Sequence, residues 1–185
     1  SQPETRVKVY AIKVTLLGTS PPVWRRILVP RDITLRNFHR TLQTVMGWTN
    51  SHLHQFVLPR QMSSELRFSV GTKVADENRT ELGDLMRTAG AKLFYEYDFG
   101  DGWQHELLLE EVLLGDETFQ QTCVAGKRCC PPEDCGGPQG FAELLQALQD
   151  ANHPSHDEAC EWLGDFVPES FSADEVNRRL CRRKH

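Results

Sequence analysis

The run RCCPPEDCGG, residues 128–137, holds three cysteines, two prolines, two acids and two glycines, and Cys123 lies just upstream. Thiolates crowded onto a tight loop suit a soft cation. Zinc takes four ligands in a tetrahedron, and Gly126, Gly136 and Gly137 would let the backbone wrap around it. Cys123, Cys130 and Cys135 are the candidate ligands, with Cys129 as a further one. Their spacing, C-x6-C-x4-C, differs from the two-residue knuckles of zinc fingers, so a reduced structural loop and a redox or disulfide role stay open beside zinc. Adjacent cysteines such as Cys129 and Cys130 seldom pair with each other. The fourth position is open to Cys129, His105, His52, His54 or water. His153 and His156 fit less well, because a helix starting near Pro138 would carry the chain about 18 Å away before reaching them. A turn and a helix cap are the expected places for both.

The segments SHLHQ and DFGDGWQH supply His52, His54, Asp98, Asp101 and His105. Two carboxylates and three imidazoles can hold a divalent ion for hydrolysis or phosphoryl transfer. The structural alternative gives Asp101 to a turn, sets His105 across a hairpin and uses Trp103 to close the core; no nucleophile and base at fixed spacing favour catalysis. His52 and His54 share a face if a strand begins there. Charge is also unevenly placed. Residues 1–60 carry nine Lys/Arg against Glu4 and Asp32, and the rest carry twelve against twenty-four acids. Arg25, Arg26, Arg31, Arg36 and Arg40 could therefore face nucleic-acid phosphates. The two halves could equally neutralise each other within one domain, and nucleic acid is not the favoured partner.

These residues need elements to position them. Alternation in VYAIKVTLL puts Tyr10, Ile12, Val14 and Leu16 on one side of a strand, and the proline-bounded PPVWRRILVP gives a second. In DITLRNFHRTLQTVMGW, Leu35, Phe38, Leu42, Val45 and Met46 recur at helical spacing, with Asp32 or Thr34 to cap the start and Gly47 the end. Short strands are expected near HQFVL and LRFSV, and a short helix around ELGDLMRT. KLFYEYDFGDGWQHELLLEEVLL reads as two strands joined through Gly100-Asp101-Gly102. Phe141, Leu144, Leu145 and Leu148 mark a helix behind Pro138. Two more start at the capping-box pairs Ser155/Glu158 and Ser172/Glu175. Strands first and helices last define an α+β class: a mostly antiparallel sheet, one helix after the second strand, and a C-terminal group of helices. The length suits one domain over 1–185 with its core at about 7–180. No apolar run nears the roughly 18 residues of a membrane span and no signal segment is evident, so a cytoplasmic location without membrane partners is the expectation.

PPVWRRILVP, DITLRNFHRTLQTVMGWTNSHLHQF, YEYDFGDGWQHE, CPPEDCGG and LGDFVPESFSADEVNRRL follow one another in this order. With these five segments the chain resembles the plasmid pRiA4b ORF-3-like proteins over about residues 7–180. The resemblance implies an α+β domain often carried by plasmids and mobile elements, with no activity established for the family. It matches Cys123, Cys130 and Cys135 to the family's cysteines and leaves Cys129 as an addition. Some relatives are labelled TnpR-like, meaning transposon resolvase, and that chemistry needs an activated serine or tyrosine among basic residues. Ser20 sits in a Ser-Pro-Pro turn, and Tyr10, Tyr95 and Tyr97 stay within the strand pattern. The expected function is a non-enzymatic binding or interaction module for an unknown protein partner, its cysteine loop a candidate zinc site. A DNA-associated accessory of a mobile element and a metal-dependent hydrolase built on the His/Asp group are the alternatives.

Overall fold

The computed structural model describes residues 5–59 and 72–183. In chain order the elements are β1 (Val7–Leu16), β2 (Val23–Pro30), α1 (Leu35–Met46), β3 (His54–Leu58), β4 (Thr72–Lys73), α2 (Leu82–Leu85), β5 (Lys92–Tyr97), β6 (Trp103–Gly115), β7 (Thr122–Lys127), α3 (Gly137–Gln149), α4 (His156–Leu163) and α5 (Ala173–Arg182). All seven strands form one sheet in the order β4-β3-β5-β6-β1-β2-β7, antiparallel at every step. The α+β class and the antiparallel sheet are those expected. The expected strand at LRFSV lies outside the described residues.

β6 is the middle strand of the seven and β1 lies beside it, with Tyr10, Ile12, Val14 and Leu16 each at most 1% exposed. The β1/β6 register shifts between Ala11 and Ile12. Such a shift leaves one residue of the longer strand unpaired, and here Glu110 falls between the partners of Ala11 and Ile12. Its carboxylate receives Arg26 Nε at 2.6 Å. α1 starts where Thr34 Oγ1 accepts from Asn37 N at 3.3 Å and stops at Gly47, φ 114°, a left-handed cap that glycine adopts without strain. Its face of Leu35, Phe38, Leu42, Val45 and Met46 is buried in the core cluster.

Two local expectations change. Ser172 caps α5 by accepting from Glu175 N at 3.3 Å, whereas Ser155 precedes α4 without any side-chain cap bond and donates its own N–H to His153 Nδ1. β7 forms where no strand was expected, recruited by the edge of β2, with a register shift between Arg26 and Ile27. Gly126 belongs to this strand. A Cβ there would lie 2.8 Å from Trp24 O, so the glycine serves close backbone approach rather than wrapping a metal. α5 closes the edge: Asn177 Oδ1 accepts from Cys123 N at 2.7 Å and its Nδ2 donates to Cys123 O at 2.9 Å.

Candidate metal centre

A closed ring of four hydrogen bonds ties α1, the loop after it, and β5. Asn50 N donates to Gln43 Oε1 and Gln43 Nε2 to the Tyr95 hydroxyl, each at 2.9 Å. His39 completes it, with Nδ1 2.8 Å from the Tyr95 hydroxyl and Nε2 2.8 Å from Asn50 Oδ1. An amide oxygen only accepts, so Nε2 carries the proton and Nδ1 accepts from the tyrosine. His39 is therefore neutral. Burial, and then the neighbouring His54, hold its pKa down at about 4. Asn50 takes part from a left-handed φ of 56°, which asparagine tolerates better than most residues. The ring fixes the loop that delivers His52.

This ring carries a pH dependence. His39 and the fully buried His105, whose pKa burial also lowers to about 4, are neutral in the folded chain and titrate near 6.5 when unfolded. Between those values the unfolded state binds more protons, so stability is full above about pH 6.5 and falls as the pH drops toward 4. Urea unfolding at about pH 7 and about pH 5 should differ by about 1–2 kcal/mol per histidine. His39→Gln should give a shallower pH slope; an unchanged slope would contradict the assignment.

His52 lies just ahead of β3. Its Nε2 is 2.9 Å from Asp134 Oδ1 and 3.6 Å from both Asp98 Oδ2 and Glu133 Oε2. That nitrogen is buried, yet none of these contacts is aligned as a hydrogen bond. Among the described residues, His52, Asp98 and Asp134 are the one set of three His, Cys, Asp or Glu side chains whose ligand atoms all lie within 4.8 Å of one another. Asp98, 7% exposed, follows β5 with φ 61°. Its Oδ1 accepts from Gly100 N at 3.0 Å and Asp101 N at 3.3 Å, leaving Oδ2 toward the imidazole. Glu133 is held by Thr49 N and by the Tyr97 hydroxyl, each at 3.0 Å. Burial, reinforced by that carboxylate, raises the Tyr97 pKa, so the phenol keeps the proton it donates.

Three loops meet here because specific clips bring them together. Trp48 Nε1 donates to Pro131 O at 3.0 Å, and Gly136 N donates to Asp101 Oδ2 at 3.3 Å. Gly137, φ 70°, lies so close to the β5–β6 turn that a Cβ would collide with Asp101 O. Of the five His/Asp candidates, only His52 and Asp98 come together. β3 begins at His54, so His52 stays in the preceding loop and the two do not share a face. His54 Nε2 is 2.7 Å from Glu77 Oε2, and its ring stacks on His39 at 3.5 Å. Asp101 turns to Gly136, and His105 sits inside the core with Nδ1 3.1 Å from Tyr95 O.

The cysteine loop contributes acids to this centre, not sulfur. The sulfurs of Cys123, Cys130 and Cys135 do not all lie within 4.8 Å of one another, with or without Cys129. β7 aims Cys123 into the core, where Sγ donates to Ala125 O, while Cys130 Sγ donates to Pro131 O. Burial raises the pKa of Cys123, Cys129, Cys130 and Cys135, the last to about 12. Arg25 pulls the first three the other way without prevailing. All six cysteines are free thiols. Glu133 and Asp134, which the sequence reading did not single out, form an acidic pair inside a Pro-Pro and Gly-Gly frame, the one signal that could have marked them.

The arginines do not form one surface. Arg25 is 2% exposed, with Nε on Val45 O at 2.9 Å and Nη1 on Trp24 O at 2.9 Å and Lys127 O at 3.1 Å. Strand alternation sends Arg26 to the other face, where it pairs with Glu110. Arg31 bonds Gly83 O, Arg36 bonds Asn78 Oδ1, and Arg40 is exposed on α1. A DNA contact built on all five is therefore broken by the β2 pleat.

An antiparallel α+β sheet whose loops gather one histidine and three carboxylates defines a protein with a candidate metal centre on its loop end. The chain belongs to the plasmid pRiA4b ORF-3-like protein family, whose model matches residues 8–175. It is 40% identical over 168 residues to the uncharacterized protein y4hQ of Sinorhizobium fredii, covering 90% of this chain and 86% of that relative. A crystal structure of MM3350, a protein of unknown function from Methanosarcina mazei Go1, is similar at a TM-score of 0.81 and 34% identity, covering 93% of this chain and 99% of that one. Among the described residues no helix is long and apolar enough to cross a membrane.

Proposed function

We propose that the chain is a binding module that holds a divalent transition-metal ion through His52, Asp98 and Asp134, with Glu133 as a further ligand in reach. The observation that supports this is the buried Nε2 of His52, which has no aligned hydrogen bond while three carboxylates crowd it. A cation between them would satisfy His52, Asp98 and Asp134, whose ligand atoms all lie within 4.8 Å of one another. One imidazole among carboxylates suits Zn²⁺ or Mn²⁺, whereas Mg²⁺ and Ca²⁺ prefer oxygen alone. The zinc expectation thus moves from the sulfurs of the loop to its acids. Leu53 and Phe99, both exposed, flank His52 and Asp98 in the chain, and offer apolar contact to a protein partner beside the ion.

Calorimetric titration with Zn²⁺ or Mn²⁺ should find one ion per chain. Asp98→Asn or His52→Gln should weaken it at least about tenfold, and Cys130→Ser should not. No binding, or binding that follows the cysteine, would refute this reading. A second reading, a metal-dependent hydrolase, is favoured by Asp134 also lining a ligand-sized cavity, since a metal with open positions can activate water. Turnover of a nitrophenyl ester or phosphoester that requires added metal and Asp98 is its test.

A further inference from the structure

Asp134 also borders a cavity of about 500 Å³ between α3 and α4, within the range of small-ligand sites. Its lining is one-sided in charge. Asp134, Glu143 and Glu158 contribute carboxylates, and neither Lys nor Arg is among the described residues that line it. Among the described residues, none of the three acids is in an ion pair with Lys or Arg; Asp134 meets His52, and Glu143 accepts from Gln139. Leu144 and Ala147 supply apolar surface, and Trp162 borders the same space while 50% exposed.

We propose that this cavity binds a small organic cation, an alkylguanidinium or alkylammonium. An indole face attracts such a cation through its ring quadrupole, and carboxylates give it charge-assisted hydrogen bonds. Leu144 and Ala147 would take the alkyl stem. An anion would meet three carboxylates with no Lys or Arg among the described lining residues to offset them, and a neutral analogue would forgo both attractions. The site is separate from the proposed metal ligands except at Asp134, because His52 and Asp98 do not line it.

Titration of the nitrogen-15-labelled full chain with butylguanidinium tests this, read at the Trp162 indole N–H, which is assigned by its loss in Trp162→Phe. The expected result is a saturable shift with Kd of about 1 mM or tighter. Glu158→Gln should weaken binding at least about fivefold, since it removes one charge-assisted partner. Asp98→Asn should leave it unchanged, so failure of the metal reading and failure of this one are distinguishable. Glu158 and Trp162 are exposed, so their variants keep the fold. No shift up to about 10 mM, equal binding of neutral butanol, indifference to Glu158→Gln, or binding only of arginine within a peptide would each overturn the proposal.

Discussion

Arg25→Ala should bring the chain close to unfolding, a loss of about 5 kcal/mol against the roughly 5–15 kcal/mol typical of a domain. The guanidinium is buried between β2, β7 and the end of α1, and it satisfies the carbonyls of Val45, Trp24 and Lys127 while lying 4.4 Å from the centre of the Phe171 ring. Truncation leaves those acceptors with one partner fewer, at about 1–3 kcal/mol for each that becomes unsatisfied, and opens a void beneath the aromatic ring. Arg25→Lys should recover only part, because one ammonium cannot reproduce the planar fork. Arg26→Ala is the matched control. Its ion pair with Glu110 is partly exposed, and such pairs contribute about 1 kcal/mol or less. Urea unfolding of the three variants measures the contrast. Equal losses for Arg25→Ala and Arg26→Ala would show that the buried guanidinium is not a structural tie.

The same pair shows what the sequence could and could not convey. Strand alternation alone places Arg25 and Arg26 on opposite faces, but which face is buried depends on β7 and α5 arriving, and β7 carries no local strand signal. Gly126 reads as a loop residue until Trp24 O is seen pressed against it. By contrast, α1 was legible throughout, since a 3.6-residue apolar period with Thr34 and Gly47 at its ends is local information. The site falls between these cases. His52 and Asp98 stood out by residue type, whereas the split between His52 and His54 turned on the residue at which β3 begins, and a shift of one position reverses a strand's faces. Glu133 and Asp134 were overshadowed by the cysteines beside them. Their approach to His52 rests on long-range clips, Trp48 to Pro131 and Asp101 to Gly136, that no local pattern encodes.

Gly137→Ala should cost about 2–5 kcal/mol and weaken metal binding without altering any ligand. Two effects add. At φ 70° an alanine pays about 1–2 kcal/mol for the left-handed conformation, and its Cβ would run into Asp101 O. That obstacle is backbone in a turn already fixed by Asp98 Oδ1 and by Gly102 N on Asp98 O, so it cannot swing aside as a flexible side chain would. Forced displacement of packed atoms costs about 1–3 kcal/mol. The displacement would separate the β5–β6 turn from the 128–137 loop, and therefore Asp98 from Asp134. Gly102→Ala isolates the steric part: its φ is 69°, almost the same, but nothing stands within 4 Å of the added carbon. Gly102→Ala should lose only the conformational share and keep most of its metal affinity. If thermal unfolding and metal titration show equal losses for the two variants, the contact at Gly137 does not hold the loops in register.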